Sequence, residues 1–460
     1  MTAQLHFLDW LVIAAYILVL LYLGISQFKQ NRTSSEQYIL AGRKLSLPAF
    51  VATLVATWYG GILGIGENIY LYGIQTWFIF GLPYYIFAIL FSLFLADKIR
   101  SKKTVSIPDH FRSHYSPNAG IISAVLVLIL ASPAPYILSL GILIKFLSGI
   151  PLSWALILAT GISMSYTWFG GFNSVVKTDY VQFIFMFAGF ALLLFFSWMK
   201  LGPPSTAFQE IPSGHFDPMG GKSSGYVMVW FFIALWTFID PGFHQRTSAA
   251  DSSKTARNGI LTAVGFWFIF DMMTLLTGLY AKSLITTNEP MFAFVMLAQE
   301  NILPPVLLGI FITGLLATLM STVDSFGFIS AVTFGRDILW RIKSPKSENQ
   351  KPMHFTQSGI IAVGFLAVLL AFTIPSVIDL WFTIGTVIIP GLLIPFLLTF
   401  TSITIRPKFT SLFILLPPVF SAIWLAGSSL ELHSIFSLQA FYPGIFLSMI
   451  LAVIFRTSSR

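Results

Sequence analysis

Four hydroxyls stand at helical spacing inside an apolar stretch. The segment GLLATLMSTVDSFGFIS holds Thr318, Ser321, Thr322 and Ser325, with Asp324 among them. Thr318/Thr322 and Ser321/Ser325 are i,i+4 pairs, and 318/321 is i,i+3, so all four hydroxyls share one helical face. Hard cations prefer oxygen ligands. Two such hydroxyls facing the carbonyls of an unwound neighbour would form a cage suited to Na+. The alternative is that each hydroxyl bonds back to the carbonyl four residues earlier, as Ser and Thr in membrane helices often do.

Two further stretches offer the unwound neighbour. LVATWYGGILGIGENIYLYG carries Gly60, Gly61, Gly64 and Gly66, with Glu67 close behind. ALWTFIDPGFHQR carries Asp240-Pro241-Gly242. Pro241 removes a backbone donor and crowds the preceding turn. Helices broken near the bilayer midplane free carbonyls and half-helix ends for ions and solutes. An acid inside an apolar segment is costly and usually functional, which singles out Asp240, although it could instead cap the helix that restarts after the break. The glycines could instead permit close helix packing.

These stretches need a membrane around them. The chain has 460 residues, of which 56% are hydrophobic and 10% charged, and its mean hydropathy is +0.82. A soluble domain carries about 25% charged residues. This composition excludes a soluble enzyme, a disordered chain and a nucleic-acid-binding domain, and leaves an all-α integral membrane protein. With no Cys, disulfides and thiolate metal sites are excluded. Of the seven His, only His110 and His114 stand at i,i+4, and Gly221-Lys222-Ser223-Ser224-Gly225 matches Gly-x-Ser-x-Gly only in a Pro/Gly/Ser-rich outer connection; neither has the context of a metal or nucleophile site, so the chain is not read as an enzyme. No Gly-x-x-x-x-Gly-Lys-Ser/Thr loop points to ATP.

Thirteen apolar segments are read as spans, near 7–26, 48–73, 76–96, 119–149, 151–172, 179–199, 225–241, 256–282, 305–334, 357–373, 377–402, 409–427 and 440–455. Counted from the second, the two breakable segments are the first and sixth of ten core helices. A spacing of five fits an inverted repeat of five plus five helices. The expected organisation is one integral membrane domain over 1–460, with a peripheral first helix and inner loop at 1–47, a ten-helix core at 48–402 and two additional C-terminal helices at 403–460. With the N-terminus outside, all Lys and Arg fall in inner loops except Lys145, Lys200, Lys222 and Lys282. The positive-inside rule therefore predicts an external N-terminus and a cytoplasmic C-terminus. Neither a cleaved signal peptide nor an appended soluble domain is expected. The outer connection 283–304, with Glu289-Pro290, is expected to hold a short interfacial helix.

Four stretches carry a resemblance to the sodium:solute symporter family. YILAGRKLSLP at 38–48 looks like the stretch before that family's first core helix. YTWFGGFNSVVKTDYVQ at 166–182 is similar to its Tyr-Thr…Gly-Gly…Thr-Asp…Gln signature. QRTSAADSSKTARNG at 245–259 resembles its Gln-Arg loop, and LPPVLLGIFITGLLATLMSTVDS at 303–325 its Met-Ser-Thr helix. The resemblance implies Na+ bound by the hydroxyls of Ser321 and Thr322, the carbonyl of Thr318, and the carbonyls of Leu54 and Thr57 on the first core helix. It makes Asp179 a coupling carboxylate, alternatively a helix-end charge beside the dipole, and Asp179 with Ser325 a candidate second ion site. It places the solute between the broken helices, against Trp58, Gly61, Phe80, Trp236, Thr237 and Asp240. Glu67 could add negative charge.

The implied activity is Na+-coupled import of a small organic solute (amino-acid-like, carboxylate or another small metabolite) by alternating access across a plasma membrane or bacterial inner membrane. The expected partners are that solute, Na+ and the lipid bilayer, with no nucleic acid and no obligatory protein partner. A proton-coupled transporter of the same fold and a non-transporting membrane sensor are the alternatives.

Overall fold

A computed structural model describes residues 4–26, 34–343, 353–373, 376–429 and 438–457. Lys29, Arg32, Lys346, Lys351 and Arg460, assigned above to inner loops, lie outside the described residues. Those residues form helices joined by short turns, with no named strand among them. Ten helices are long and apolar enough to cross a membrane, or up to eleven if a bent pair is one span. Thirteen is therefore not the number that length and composition give. Two places account for the difference. The segments at 151–172 and 179–199 run together as one helix, Leu152–Leu201, of 50 residues. At 1.5 Å per residue that is about 75 Å, more than twice a hydrocarbon core. The helix is re-aimed at Gly171, whose φ of 55° and ψ of −147° interrupt an otherwise helical run. That conformation suits glycine, and a Cβ there would meet the Tyr38 carbonyl oxygen at 2.5 Å. The last apolar helix, Phe441–Ile454, has only 14 residues, short for a span.

Both expected breaks exist. In the first core helix, Leu47–Ala56 passes through a tight turn at Thr57–Tyr59 and restarts as Ile62–Tyr72, with a bend of 58°. The break falls at Gly60-Gly61, whereas Gly64 and Gly66 lie within the regular second half. The need for glycine is clearest at Gly61, where a Cβ would overlap the Trp381 ring at 1.7 Å. In the sixth core helix, Ser224–Ile233 and a 3-10 turn at Ala234–Ile239 lead to Asp240 in extended conformation, followed by Pro241–Ala249. Asp240 Oδ1 accepts the Phe243 amide at 2.9 Å. Asp240 is thus the N-cap of the second half-helix and Pro241 its first residue, where its missing N–H is least missed.

The eighth core helix, Leu307–Val332, is almost wholly buried and packs chiefly on Leu152–Leu201. The peripheral helix Phe7–Ser26 is pinned along both. Asp9 Oδ1 accepts the Val306 and Gly309 amides at 2.8 and 2.9 Å, capping the eighth core helix from another element. Near the other end, Ser174 Oγ donates to the Gly24 carbonyl at 2.6 Å. The connection after Glu289 does form short helical turns, Pro290–Phe292 and Ala293–Leu297. Phe294, Val295 and Leu297 are buried, so this segment packs on the protein; Phe294 fills the space left by Gly66.

Candidate ion and solute sites

The oxygen face of the eighth core helix meets the break in the first. Thr322 Oγ1 donates to the Thr57 carbonyl at 2.8 Å and lies 3.3 Å from the Thr318 carbonyl. Two expected carbonyls and one expected hydroxyl therefore converge on one point. The 3-10 turn makes this possible, because it turns the Thr57 carbonyl away from a regular helical ladder. Leu54 lies one turn earlier with its side chain in the core. Thr318 Oγ1 bonds back to the Gly314 carbonyl at 2.7 Å, so back-bonding and convergence coexist on this face. Every group at the convergence is a neutral oxygen, a donor set that fits Na+.

Ser321 Oγ instead donates to Asp179 Oδ1 at 2.6 Å, and Thr53 Oγ1 donates to Asp179 Oδ2. Asp179 is fully buried in the middle of Leu152–Leu201. It is not a helix-end charge. Its cationic neighbour is Arg246, 3.8 Å from Oδ2, both side chains being wholly inaccessible. Arg246 Nη2 also donates to Thr53 Oγ1, Thr57 Oγ1 and Ser325 Oγ at 3.0, 2.8 and 2.7 Å. One guanidinium thus ties the second half of the sixth core helix to the first and eighth. The assignment of Arg246 to an inner loop was wrong. Its half-helix turns inward after the break, which carries a charge only six residues past Asp240 into the core. The sequence signal was the adjacency of Arg246 to the Asp-Pro-Gly interruption.

Between the broken helices lies a cavity, a place where small-molecule sites commonly form. Trp58, Gly61, Phe80, Trp236, Thr237 and Asp240 all line it. Glu67 does not; it is half-buried and its charged neighbour is Asp379. Composition and resemblance missed Tyr84, Tyr136, Trp230, Asp271 and Trp381, which also face the cavity. The rings support one another. Trp58 meets Tyr84 edge-on at 5.0 Å, Phe80 meets Trp230 at 4.8 Å, and Trp381 lies 6.3 Å from Phe80 and 6.1 Å from Tyr136. Asp271 accepts from the Tyr85 hydroxyl. Trp236 Nε1, Thr237 Oγ1 and Thr76 Oγ1 are buried without a hydrogen-bond partner, three polar atoms free for a solute.

Carbonyls and hydroxyls meeting at a helix break, beside a cavity between two broken helices, are the arrangement typical of secondary transporters. The model of the sodium:solute symporter family matches residues 38–402, and the chain belongs to that family: a transporter whose coupling ion is Na+, and not an enzyme. The Drosophila melanogaster high-affinity choline transporter 1 is 25% identical over 80% of this chain, which spans 63% of that protein's length. The osmoregulated proline transporter of Bacillus subtilis is 24% identical over 82% of both chains. A solved Na+-coupled sialic acid symporter superposes with a TM-score of 0.81 at 16% identity, covering 98% of both chains. The nucleobase-cation-symport transporter Mhp1 superposes with a TM-score of 0.55 at 13% identity, over 91% of this chain and 95% of that one. These likenesses fix the fold as an inverted-repeat transporter core with discontinuous first and sixth helices.

Proposed function

We propose that this protein imports a small organic ammonium ion together with Na+, by alternating access through the core at 48–402, in a plasma membrane with the N-terminus outside. The observation that carries the solute class is the cavity lining. Trp58, Tyr84, Tyr136, Trp236 and Trp381 surround the space, and among the described residues Asp240 and Asp271 are its only carboxylates and no Lys, Arg or His lines it. An aromatic cage with nearby carboxylates attracts ammonium groups, each well-placed ring contributing about 0.5–2 kcal/mol. A carboxylate-bearing solute would face two acids, and the half-helix N-terminus that could receive it is already capped by Asp240. One relative transports choline by name and another proline; the lining favours the former chemistry.

Na+ bound by Thr57, Thr318, Ser321 and Thr322, with Leu54 one turn away, would fix the break in the first core helix, on which Trp58 and Gly61 face the solute. Each ligand then raises affinity for the other. The driving force is ample. One Na+ and one univalent cation crossing 100 mV, with a tenfold Na+ gradient, release about 6 kcal/mol, which supports accumulation on the order of 10⁴-fold.

The test is thermal unfolding of the detergent-purified protein in NaCl against KCl, with tetramethylammonium, choline, proline or glucose added. Stabilisation by the ammonium ions that needs Na+ and disappears in Trp381→Ala is the expected result. Stabilisation by proline or glucose alone would reject the solute class.

A further inference from the structure

The two carboxylates of the solute cavity are not equivalent. Asp240 is buried and its charge is already answered. Its Oδ1 accepts the Phe243 amide at 2.9 Å at the start of Pro241–Ala249, where the helix dipole favours an anion. Arg246, on the same half-helix, adds a positive charge nearby. Asp271 has neither. It stands in the interior of the seventh core helix, Ser253–Leu284, beyond the reach of either dipole end. Among the described residues no Lys, Arg or His forms an ion pair with it, and none lines the cavity. Its hydrogen-bond partner is neutral, since the Tyr85 hydroxyl donates to Oδ2. The Tyr59 hydroxyl stands beside it and gives its own proton to the Trp267 carbonyl at 3.0 Å. Asp271 lines the cavity and, unlike Asp240, keeps accessible surface there.

The carboxylate is also held in place. The second core helix is interrupted at Gly81, between Gln75–Phe80 and Leu82–Phe94. A Cβ at Gly81 would meet Asp271 Oδ2 at 2.9 Å and Trp77 Cδ1 at 2.6 Å, so the glycine lets the two helices approach at this point. Trp77 Nε1 donates to the Tyr85 hydroxyl at 3.3 Å, and Tyr85 donates in turn to Asp271. This chain of donors spans the interruption and fixes the carboxylate against the second core helix. One turn before Asp271 on its own helix, Trp267 packs 4.8 Å from Trp58, a ring of the aromatic cage. An acid inside the membrane without a cationic partner is costly and usually functional. What compensates Asp271 enters through the cavity: a proton or a cationic solute. A quaternary ammonium group has no N–H to donate, and it needs what this wall supplies, a fixed negative charge beside ring faces.

We propose that Asp271 is the counter-ion of the transported ammonium group, and that it, not Asp240, sets the preference for a charged over an uncharged solute. The proposal deepens the ammonium-ion reading above and rests on it. Dissociation constants from melting-temperature titrations of the purified full chain in saturating NaCl test it. The probes are choline and the alcohol in which a carbon atom replaces choline's charged nitrogen. Asp271→Asn keeps an oxygen to accept from Tyr85 and removes the charge. The wild type is expected to prefer choline about 100-fold; Asp271→Asn should weaken choline by about that factor, change the alcohol by less than about threefold, and so erase the preference. An Asp271→Asn protein that keeps the wild-type preference overturns the proposal and leaves the ammonium reading standing. That is the result if a proton neutralises the carboxyl, or if the rings and Asp240 read the charge. A wild type that binds both probes equally also overturns it. A wild type that does not bind choline overturns the proposal and the ammonium reading together. Should Asp271→Asn not fold, Asp271→Glu moves the charge by one methylene and is expected to weaken choline about tenfold; wild-type choline affinity in that variant overturns the proposal.

Discussion

Replacing Arg246 by Gln and Asp179 by Asn together should destabilise the protein by less than the sum of the two single replacements. The guanidinium lies 3.8 Å from Asp179 Oδ2, with both side chains inaccessible. At an effective dielectric constant near 20, unit charges at that separation attract by about 4 kcal/mol. Removing one partner of a buried pair typically costs about 3–5 kcal/mol, because the other is left uncompensated. Arg246→Gln leaves the Asp179 carboxylate with only the hydroxyls of Ser321 and Thr53. Asp179→Asn leaves the guanidinium with the hydroxyls of Thr53, Thr57 and Ser325. The double variant removes both charges and should recover about 2–3 kcal/mol relative to the sum of the single losses. The assay is fluorescence-detected thermal unfolding of the four purified proteins in KCl, which keeps Na+ linkage out of the comparison. A double variant whose loss equals the sum of the single losses would refute the pairing and with it the view of Arg246 as the internal counter-ion of the core.

Three further outcomes are expected. At a Na+ concentration 100 times the dissociation constant, the wild type should gain about 2.7 kcal/mol of stability from one bound ion; Thr322→Val should lose that increment, as read by melting in NaCl against KCl. Gly61→Ala places a methyl group 1.7 Å from a Trp381 ring carbon, so it should abolish ammonium-ion stabilisation while most Na+ stabilisation survives; equal loss of both would contradict the separation of the two sites. Trp58→Leu keeps an apolar side chain and removes the ring quadrupole, so it should weaken ammonium binding by roughly 2- to 30-fold, measured by competition against a labelled ammonium ion.

The breaks were legible because Gly60-Gly61 and Asp240-Pro241-Gly242 interrupt apolar helices by local chemistry. The hydroxyl face was legible because i,i+3 and i,i+4 spacing acts within one helix. What lay beyond reach depended on contacts between distant elements. Adjacency to the Asp-Pro-Gly interruption was the one local signal for Arg246, and it does not name the partners Thr53 and Ser325, which are 193 and 79 residues away. The cavity rings Tyr136 and Trp381 come from the third and tenth core helices, in which an aromatic residue is unremarkable by composition. Glu67 attracted notice as an acid behind the glycines, but it lies on the regular half of its helix and misses the cavity. The 50-residue helix escaped as well, since a lone positive-φ glycine breaks direction without breaking the helical pattern.

The most direct test of the account is uptake of radiolabelled choline into proteoliposomes under an inward Na+ gradient, with an equal K+ gradient as control and the voltage clamped by valinomycin. Accumulation that requires Na+, rises with interior-negative voltage and is lost in both Thr322→Val and Trp381→Ala is the predicted result. Accumulation of choline that is the same in Na+ and K+, or none in either while a neutral or anionic solute is concentrated, would contradict it.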